Sequence, residues 1–353
     1  MFGGTIAEAG SDVKVYVNGK RVEEDVILSN DRTYIPLRAV SEALGAQVSW
    51  DGTSRSAMIT FSEDDAVANL VSDLSQSVVA IIGFYETGSS FTNPTVHGSG
   101  VIYKSNGYII TNAHVVQDIK NLTVVLSDGT SLPGEVMYSD SIIDLAIVKI
   151  NKIGLKPVRM AEYSSIESGR TAIAIGAPIS LSMRNTVTKG IVSGKDVVLN
   201  DSYYKLLQTD ATINAGNSGG PLLNIKGELI GINSSKYAGV GIDNMAFAIP
   251  VDTVQYAITQ FETYGKINRA DLKMTLEQSW EAKIGLPTTK GITVKTSANG
   301  VLAAGDVITE INGITVHSIA DVNEALKDTY NGASVSVTYT RGNSSQTETI
   351  QTT

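Results

Sequence analysis

At 353 residues the chain is longer than one hydrophobic core usually organises, so two or three domains are expected. Its composition, 42% apolar and 18% charged with 33 glycines, fits a turn-rich, mainly β protein and argues against a disordered chain. A net charge of -9 speaks against a nucleic-acid partner, and the lack of cysteine excludes disulfides, thiolate metal sites and a cysteine nucleophile.

Ala7-Glu8-Ala9 before Gly10 has the small-x-small form that ends a secretory signal. Residues 1–12 are therefore expected to be the stub of a signal or anchor, or an ordinary flexible terminus. Val13, Val15 and Val17 alternate with polar residues and run into Asn18-Gly19, which signals a strand and a tight hairpin. A short helix follows, opened by Pro36, carrying Leu37, Val40 and Leu44 on one face and ended by Gly45. Val48 and Trp50 then alternate into Asp51-Gly52, with Ala57, Ile59 and Phe61 on the return strand. The spacing predicts a small α+β module over 13–62. Its stretch NGKRVEEDVILSNDRTYIPLRAVSEALGAQVSWDG resembles the copper amine oxidase N-terminal domain, common in proteins exported by Gram-positive bacteria. This stretch has no histidine, so copper has no ligand there, and the resemblance implies a surface or stalk module, either a folded spacer or a specific cell-wall or peptide binder.

Ser62-Glu63-Asp64-Asp65 reads as an acidic linker. Beyond it short alternating strands recur between turn signals, expected at 78–85, 100–103, 108–111, 122–126, 145–150, 171–175, 186–193, 206–209, 228–233 and 245–249. That rhythm predicts a barrel or sandwich. After Pro250, Val254, Ala257, Ile258 and Phe261 fall at helical spacing, with Asp252 as the expected N-cap and Gly265 as terminator. This helix is expected to close a middle domain over 66–266. A third domain, 269–353, has its own strands, a helix carrying Val322, Ala325 and Leu326, and a hairpin at Arg341-Gly342-Asn343.

Hydrolysis by a serine needs a nucleophile, a base to take its proton, an acid to orient that base and donors for the oxyanion. Gly216-Asn217-Ser218-Gly219-Gly220 sets a serine among glycines, where a sharp turn exposes the hydroxyl and aims backbone N–H groups at one point. His114 follows an apolar strand in TNAHVV, and Asp144 opens DLAIVKI, from which a carboxylate can fix the imidazole tautomer. Singly, each has an ordinary role as a turn serine, a core histidine or a capping aspartate. In the order His, Asp, Ser they compose a catalytic triad. His97 and His317 lack the clustering with His114 that zinc requires, and no metal or other cofactor is expected.

TNAHVV, DLAIVKI and TDATINAGNSGGPLLN, with Gly98-Ser99-Gly100 in the turn before the histidine strand, TVTKGIVS and MAFAIP, resemble the HtrA/Deg serine proteases over about 66–350. The resemblance implies a chymotrypsin-type double β-barrel followed by one or two PDZ domains, ATP-independent cleavage of unfolded or misfolded exported proteins, and assembly as a homotrimer. It also implies an extracytoplasmic protein, secreted or held at the surface of a Gram-positive bacterium. Carried over by position, His114 is the general base, Asp144 its orienting acid and Ser218 the nucleophile, with the N–H groups of Gly216 and Ser218 as oxyanion donors. Asp210, in the family's Thr-Asp-Ala string, is the rival carboxylate and reads as structural. Ile213, five residues before the nucleophile, stands where the family lines its primary specificity pocket, which implies cleavage after small or medium aliphatic residues.

In the third domain GVLAAGDVITEING resembles the PDZ signature Gly-Asp-x-Ile-x-x-Ile-Asn-Gly, which implies capture of C-terminal peptides by strand addition. Leu272-Lys273-Met274 stands at the carboxylate loop. Lys273 replaces the family's usual glycine there, so a regulatory or packing role stands beside peptide binding. A second reading of the whole chain is a holdase-like or wall-associated binding protein with a latent protease site.

Overall fold

The computed structural model describes residues 13–17, 20–22, 26–30, 32–85, 95–176, 186–199, 202–214, 216–237 and 245–353. Residues 1–12 and Asn18-Gly19, which carry two of the expectations above, lie outside them. The chain divides into two compact units, Met1–Asp73 and Leu74–Thr353.

In the first unit β1 (Tyr16–Val17) pairs antiparallel with β2 (Lys20–Arg21), and β3 (Ile27–Ser29) with β4 (Arg32–Tyr34). Pro36 stands at the N-cap of α1 (Leu37–Ala43), and Gly45 follows it at φ +87. β5 (Ala46–Asp51) and β6 (Ser56–Phe61) form the second expected hairpin, with Val48 opposite Ile59 and Trp50 opposite Ala57. The stretch expected as an acidic linker is instead helical. α2 (Glu63–Leu74) begins there, Ser62 Oγ accepts the Asp65 N–H, and Glu63, Asp64 and Asp65 fill the first turn, where negative charge meets the positive end of the helix dipole.

The second unit opens with β7 (Val78–Tyr85), β8 (Thr95–Lys104), β9 (Tyr108–Thr111), β10 (Ile119–Val125), β11 (Ser131–Asp140) and β12 (Leu145–Ile150). They close a six-stranded barrel in the order β10-β11-β12-β9-β8-β7 around Val79, Ile81, Ile102, Ile109, Val124 and Val148. A single helical turn, α3 (Ala113–Val116), leaves β9. Gly98-Ser99-Gly100 lies inside β8 rather than in a turn. A Cβ on Gly98 would come within 2.4 Å of Val115 and one on Gly100 within 2.7 Å of Ile109, so the glycines let the strand press against the barrel wall.

β13 (Arg159–Met160), β14 (Thr171–Gly176), β15 (Thr186–Val197), β16 (Leu206–Thr209), β17 (Pro221–Leu223), β18 (Glu228–Ser234) and β19 (Ala246–Pro250) build the next sheet. Because β18 also pairs with β19, strands β14 to β19 close a second six-stranded barrel among the described residues, with β13 added alongside β18. This is the double-barrel architecture expected above. α4 (Val251–Tyr264) follows and ends at Gly265, φ +70. Its N-cap is Pro250, not Asp252. Asp252 sits in the first turn, where its carboxylate pairs with Lys327 at 3.0 Å.

The last segment contains β20 (Met274–Glu277), α5 (Trp280–Lys283), β21 (Ile292–Ser297), β22 (Val307–Ile311), β23 (Ile314–Thr315), α6 (Ile319–Ala325), β24 (Ser334–Arg341) and β25 (Ser344–Gln351). Its sheet runs β20-β21-β22-β24-β25, with β20 at one edge and a core that includes Ile292, Ile308, Val335 and Tyr339. Ser318 and Asp321 form a capping box at the start of α6.

Candidate active site

His114 and Asp144 come from the first barrel and Ser218 from the second. His114 stands on α3 directly after β9, and the buried Asn112 before it donates from Nδ2 to the Asp144 carbonyl at 2.9 Å. The imidazole Nδ1 lies 2.9 Å from both carboxylate oxygens of Asp144, and the His114 N–H donates to Oδ1 at 3.1 Å. A carboxylate only accepts, so Nδ1 carries the proton and the neutral ring keeps Nε2 as its basic nitrogen. Ser234 Oγ donates to Asp144 Oδ2 at 2.8 Å. With three donors on a side chain only 2% exposed, the acid is locked in place.

The turn ahead of Asp144 is also tied down. Asp140 Oδ1 accepts the N–H groups of Ile142 and Ile143, while Arg269 grips both Asp140 oxygens at 2.7 Å. Burial opposes the Asp140 charge, but the Arg269 guanidinium outweighs it and holds the carboxyl below its ordinary range.

Ser218 is buried in a loop whose glycines are stereochemically required. Gly216 and Gly219 have φ +106 and +81, and a Cβ on Gly219 would lie 2.2 Å from Thr111 Oγ1 and 2.3 Å from the Ser99 carbonyl. Ser99 holds the loop from the first barrel, its N–H donating to the Ser218 carbonyl at 2.8 Å and its Oγ to the Gly216 carbonyl at 2.7 Å. Asn217 holds it from within the second barrel, accepting the Asn214 N–H and donating to the Thr212 carbonyl. The Ser218 hydroxyl donates to Ser235 Oγ at 2.7 Å and accepts the Ser235 N–H at 3.0 Å.

Asp210, the rival acid, accepts the Ile191 N–H at 2.7 Å and so braces a strand, while Asp144 holds the imidazole. Ile213 is buried at 7% exposure. Leu272 packs into the last sheet's core, and Lys273 takes φ +53, the left-handed backbone glycine favours, with its N–H donating to Asp271 at 2.7 Å. Met274 opens the edge strand β20. Sequence reasoning missed Ser99, Asn217, Ser234 and Ser235. The small triplet Gly98-Ser99-Gly100 was a usable signal for the first, whereas Ser234-Ser235 carries none.

Residues 98–232 match the trypsin-like peptidase domain, 6–70 the copper amine oxidase N-terminal domain and 286–352 the PDZ domain. The chain is 36% identical to the putative serine protease HhoB of Synechocystis sp., over 70% of its own length and 64% of HhoB's. It is 34% identical to the serine protease Do-like HtrA of Bacillus subtilis over 82% of the chain and 73% of that protein. With the Lactococcus lactis subsp. cremoris HtrA the values are 35%, 81% and 79%. Among solved structures it resembles the HtrA-type protease AlgW with decapeptide, at a TM-score of 0.67 and 27% identity over 81% of this chain and 97% of that one.

Proposed function

The chain belongs to the HtrA family of trypsin-like serine proteases, and from that premise we propose that it is an ATP-independent endopeptidase of unfolded or misfolded exported proteins. Its triad is His114, Asp144 and Ser218. The observation that carries this reading is the His114 ring, fixed by both oxygens of Asp144 at 2.9 Å with Nε2 left as base. Ser218 Oγ bonds the substrate carbonyl carbon, its proton passes to His114 Nε2, and the N–H groups of Gly216 and Ser218 receive the oxyanion. The same imidazole returns the proton to the leaving amine, and water then hydrolyses the acyl-enzyme. Buried, branched Ile213 supports a pocket for small or medium aliphatic side chains.

The domain borders follow the same reading, with the N-terminal module over 13–62, the protease over 66–266 and the PDZ domain over 269–353. The exposed-edge strand β20 supports peptide capture at 272–274, and the AlgW structure with its decapeptide supports a peptide as the ligand class. A homotrimer outside the cytoplasm, with the N-terminal module near the cell wall, completes the proposal.

Digestion of casein by the wild type and Ser218→Ala, with cleavage sites mapped by mass spectrometry, tests it. The variant is expected to lose activity by about 10⁶, and residual turnover above roughly a tenth of wild type removes Ser218 from the role. Cleavage is expected after Val, Ile, Ala and Leu, and a map dominated by Lys and Arg contradicts the pocket. The bond from Ser218 to Ser235 favours a second reading, a binding protein whose protease site idles at rest. A fluorophosphonate that labels the resting chain slowly or not at all supports that alternative.

A further inference from the structure

Ser234 and Ser235 are neighbours in the chain yet serve opposite ends of the triad. Ser234 Oγ donates to Asp144, while Ser235 meets Ser218 twice, accepting its hydroxyl proton at 2.7 Å and donating its N–H to the same oxygen at 3.0 Å. A serine hydroxyl has one proton. While Ser235 Oγ holds that proton, the imidazole does not, and general-base catalysis needs it on the path to His114 Nε2. We propose that Ser235 is a positioning residue that keeps the Ser218 hydroxyl turned from His114, so that its side chain sets the resting reactivity of the nucleophile. The inference rests on Ser218 being that nucleophile.

The surroundings reinforce the hold. Ser218 is only 2% exposed, which keeps bulk water from competing for its proton. Ser235 opens a single 3-10 turn, Ser235–Tyr237, at the end of β18. On one side of Ser235, Ser234 is fully buried against Asp144, and on the other Lys236 Nζ donates to the Ser141 carbonyl at 3.0 Å. The side chains of both neighbours thus reach the segment that carries Asp144. Removing only the Ser235 hydroxyl leaves the N–H donor to Ser218 Oγ in place and takes away the competing acceptor.

In the full chain, Ser235→Ala is expected to raise the second-order rate of labelling by a fluorophosphonate about fivefold, the factor one neutral hydrogen bond represents. In that reaction Ser218 Oγ bonds phosphorus, fluoride leaves and His114 takes the hydroxyl proton. The kcat on a short peptide is expected to rise by the same factor with KM unchanged. The midpoint of the pH profile stays where it is, because the two competing rotamers are both neutral. Ser235→Thr restores the acceptor and is expected to return the rate to within about twofold of wild type. If Ser235→Ala fails to fold, Ser235→Cys, similar in size with a weakly accepting sulfur, carries the same comparison. A folded variant lacking the hydroxyl that labels no faster than wild type overturns the proposal, as does a threonine variant as fast as the alanine one. With Ser218→Ala as the blank, a wild-type chain that takes no label while Ser235→Ala also stays unlabelled overturns the nucleophile assignment itself.

Discussion

Asp144 takes φ +56, a left-handed backbone that aspartate tolerates better than most residues. That conformation turns its carboxylate back toward α3, where it meets both the His114 ring and the His114 N–H. Asp144→Asn is expected to lower kcat on a short peptide by about 10⁴, because the amide no longer enforces the Nδ1–H tautomer. Asp210→Asn is expected to leave kcat within about threefold of wild type and to cost about 1 kcal/mol of stability, since its carboxylate accepts the Ile191 N–H in the exposed strand region. Steady-state kinetics beside thermal melts separates the two. Should Asp210→Asn alone lose the rate, the acid would be reassigned.

The Ser218 loop is held between elements of both barrels, and its glycines are where it breaks. Gly219→Ala is expected to destabilise the fold by about 3 kcal/mol, since the new methyl meets Thr111 Oγ1 and the Ser99 carbonyl in a left-handed backbone. Denaturant melts read that loss, and an unchanged midpoint contradicts the packing described. In the PDZ sheet, Arg341 binds both oxygens of buried Asp306, at 2.8 and 2.7 Å. This hydrogen-bonded pairing holds the Asp306 carboxyl below its usual range. A carboxyl depressed in the folded state contributes stability that is fully present above the unfolded value, near ~3.9, and lost as pH falls through the folded one. Protection of β22 and β24 against hydrogen exchange, taken relative to the intrinsic rate at each pH, is therefore expected to fall below about pH 4, and Asp306→Asn to flatten that acid limb while being less protected at neutral pH. An acid limb identical in the variant assigns the effect to other carboxylates.

At the scale of the second unit, α6 of the PDZ domain and Lys327 just beyond its end meet the protease through charge. Lys327 is 8% exposed and reaches Asp252 at 3.0 Å, Thr253 Oγ1 at 2.9 Å and Glu324 at 2.6 Å. Lys205 pairs with Asp321 at 2.8 Å, and Asn323 donates to the Tyr203 carbonyl. Removing one partner from such a cluster leaves carboxylates facing each other without their cation. Lys327→Ala is expected to cost about 2 kcal/mol of docking and to speed proteolytic nicking near residues 266–272, with the protease barrels still folded. Equal nicking rates in limited proteolysis would show that the contact does not hold the PDZ domain in place.

Much of this protein is legible along the chain because its signals are local. The short apolar runs Tyr108–Thr111, Leu145–Ile150 and Leu206–Thr209 mark those strands residue for residue, and the glycine-rich setting of Ser218 with the strings around His114 and Asp144 is what points to these three as the proposed triad. β11 escapes that reading since most of its residues are exposed, and β17 because three buried residues make too short a period. The acidic start of α2 reads as a linker because a run of charge suits both a solvated loop and the first turn of a helix. The positioning serines escape for a different reason. Ser99 reaches Gly216 across 117 positions of sequence, and Ser234 reaches Asp144 across 90. No periodicity encodes a contact at that range. Closure of the two barrels decides it, by bringing hydroxyls that are ordinary strand residues in the sequence within 3 Å of the loop and the acid they hold.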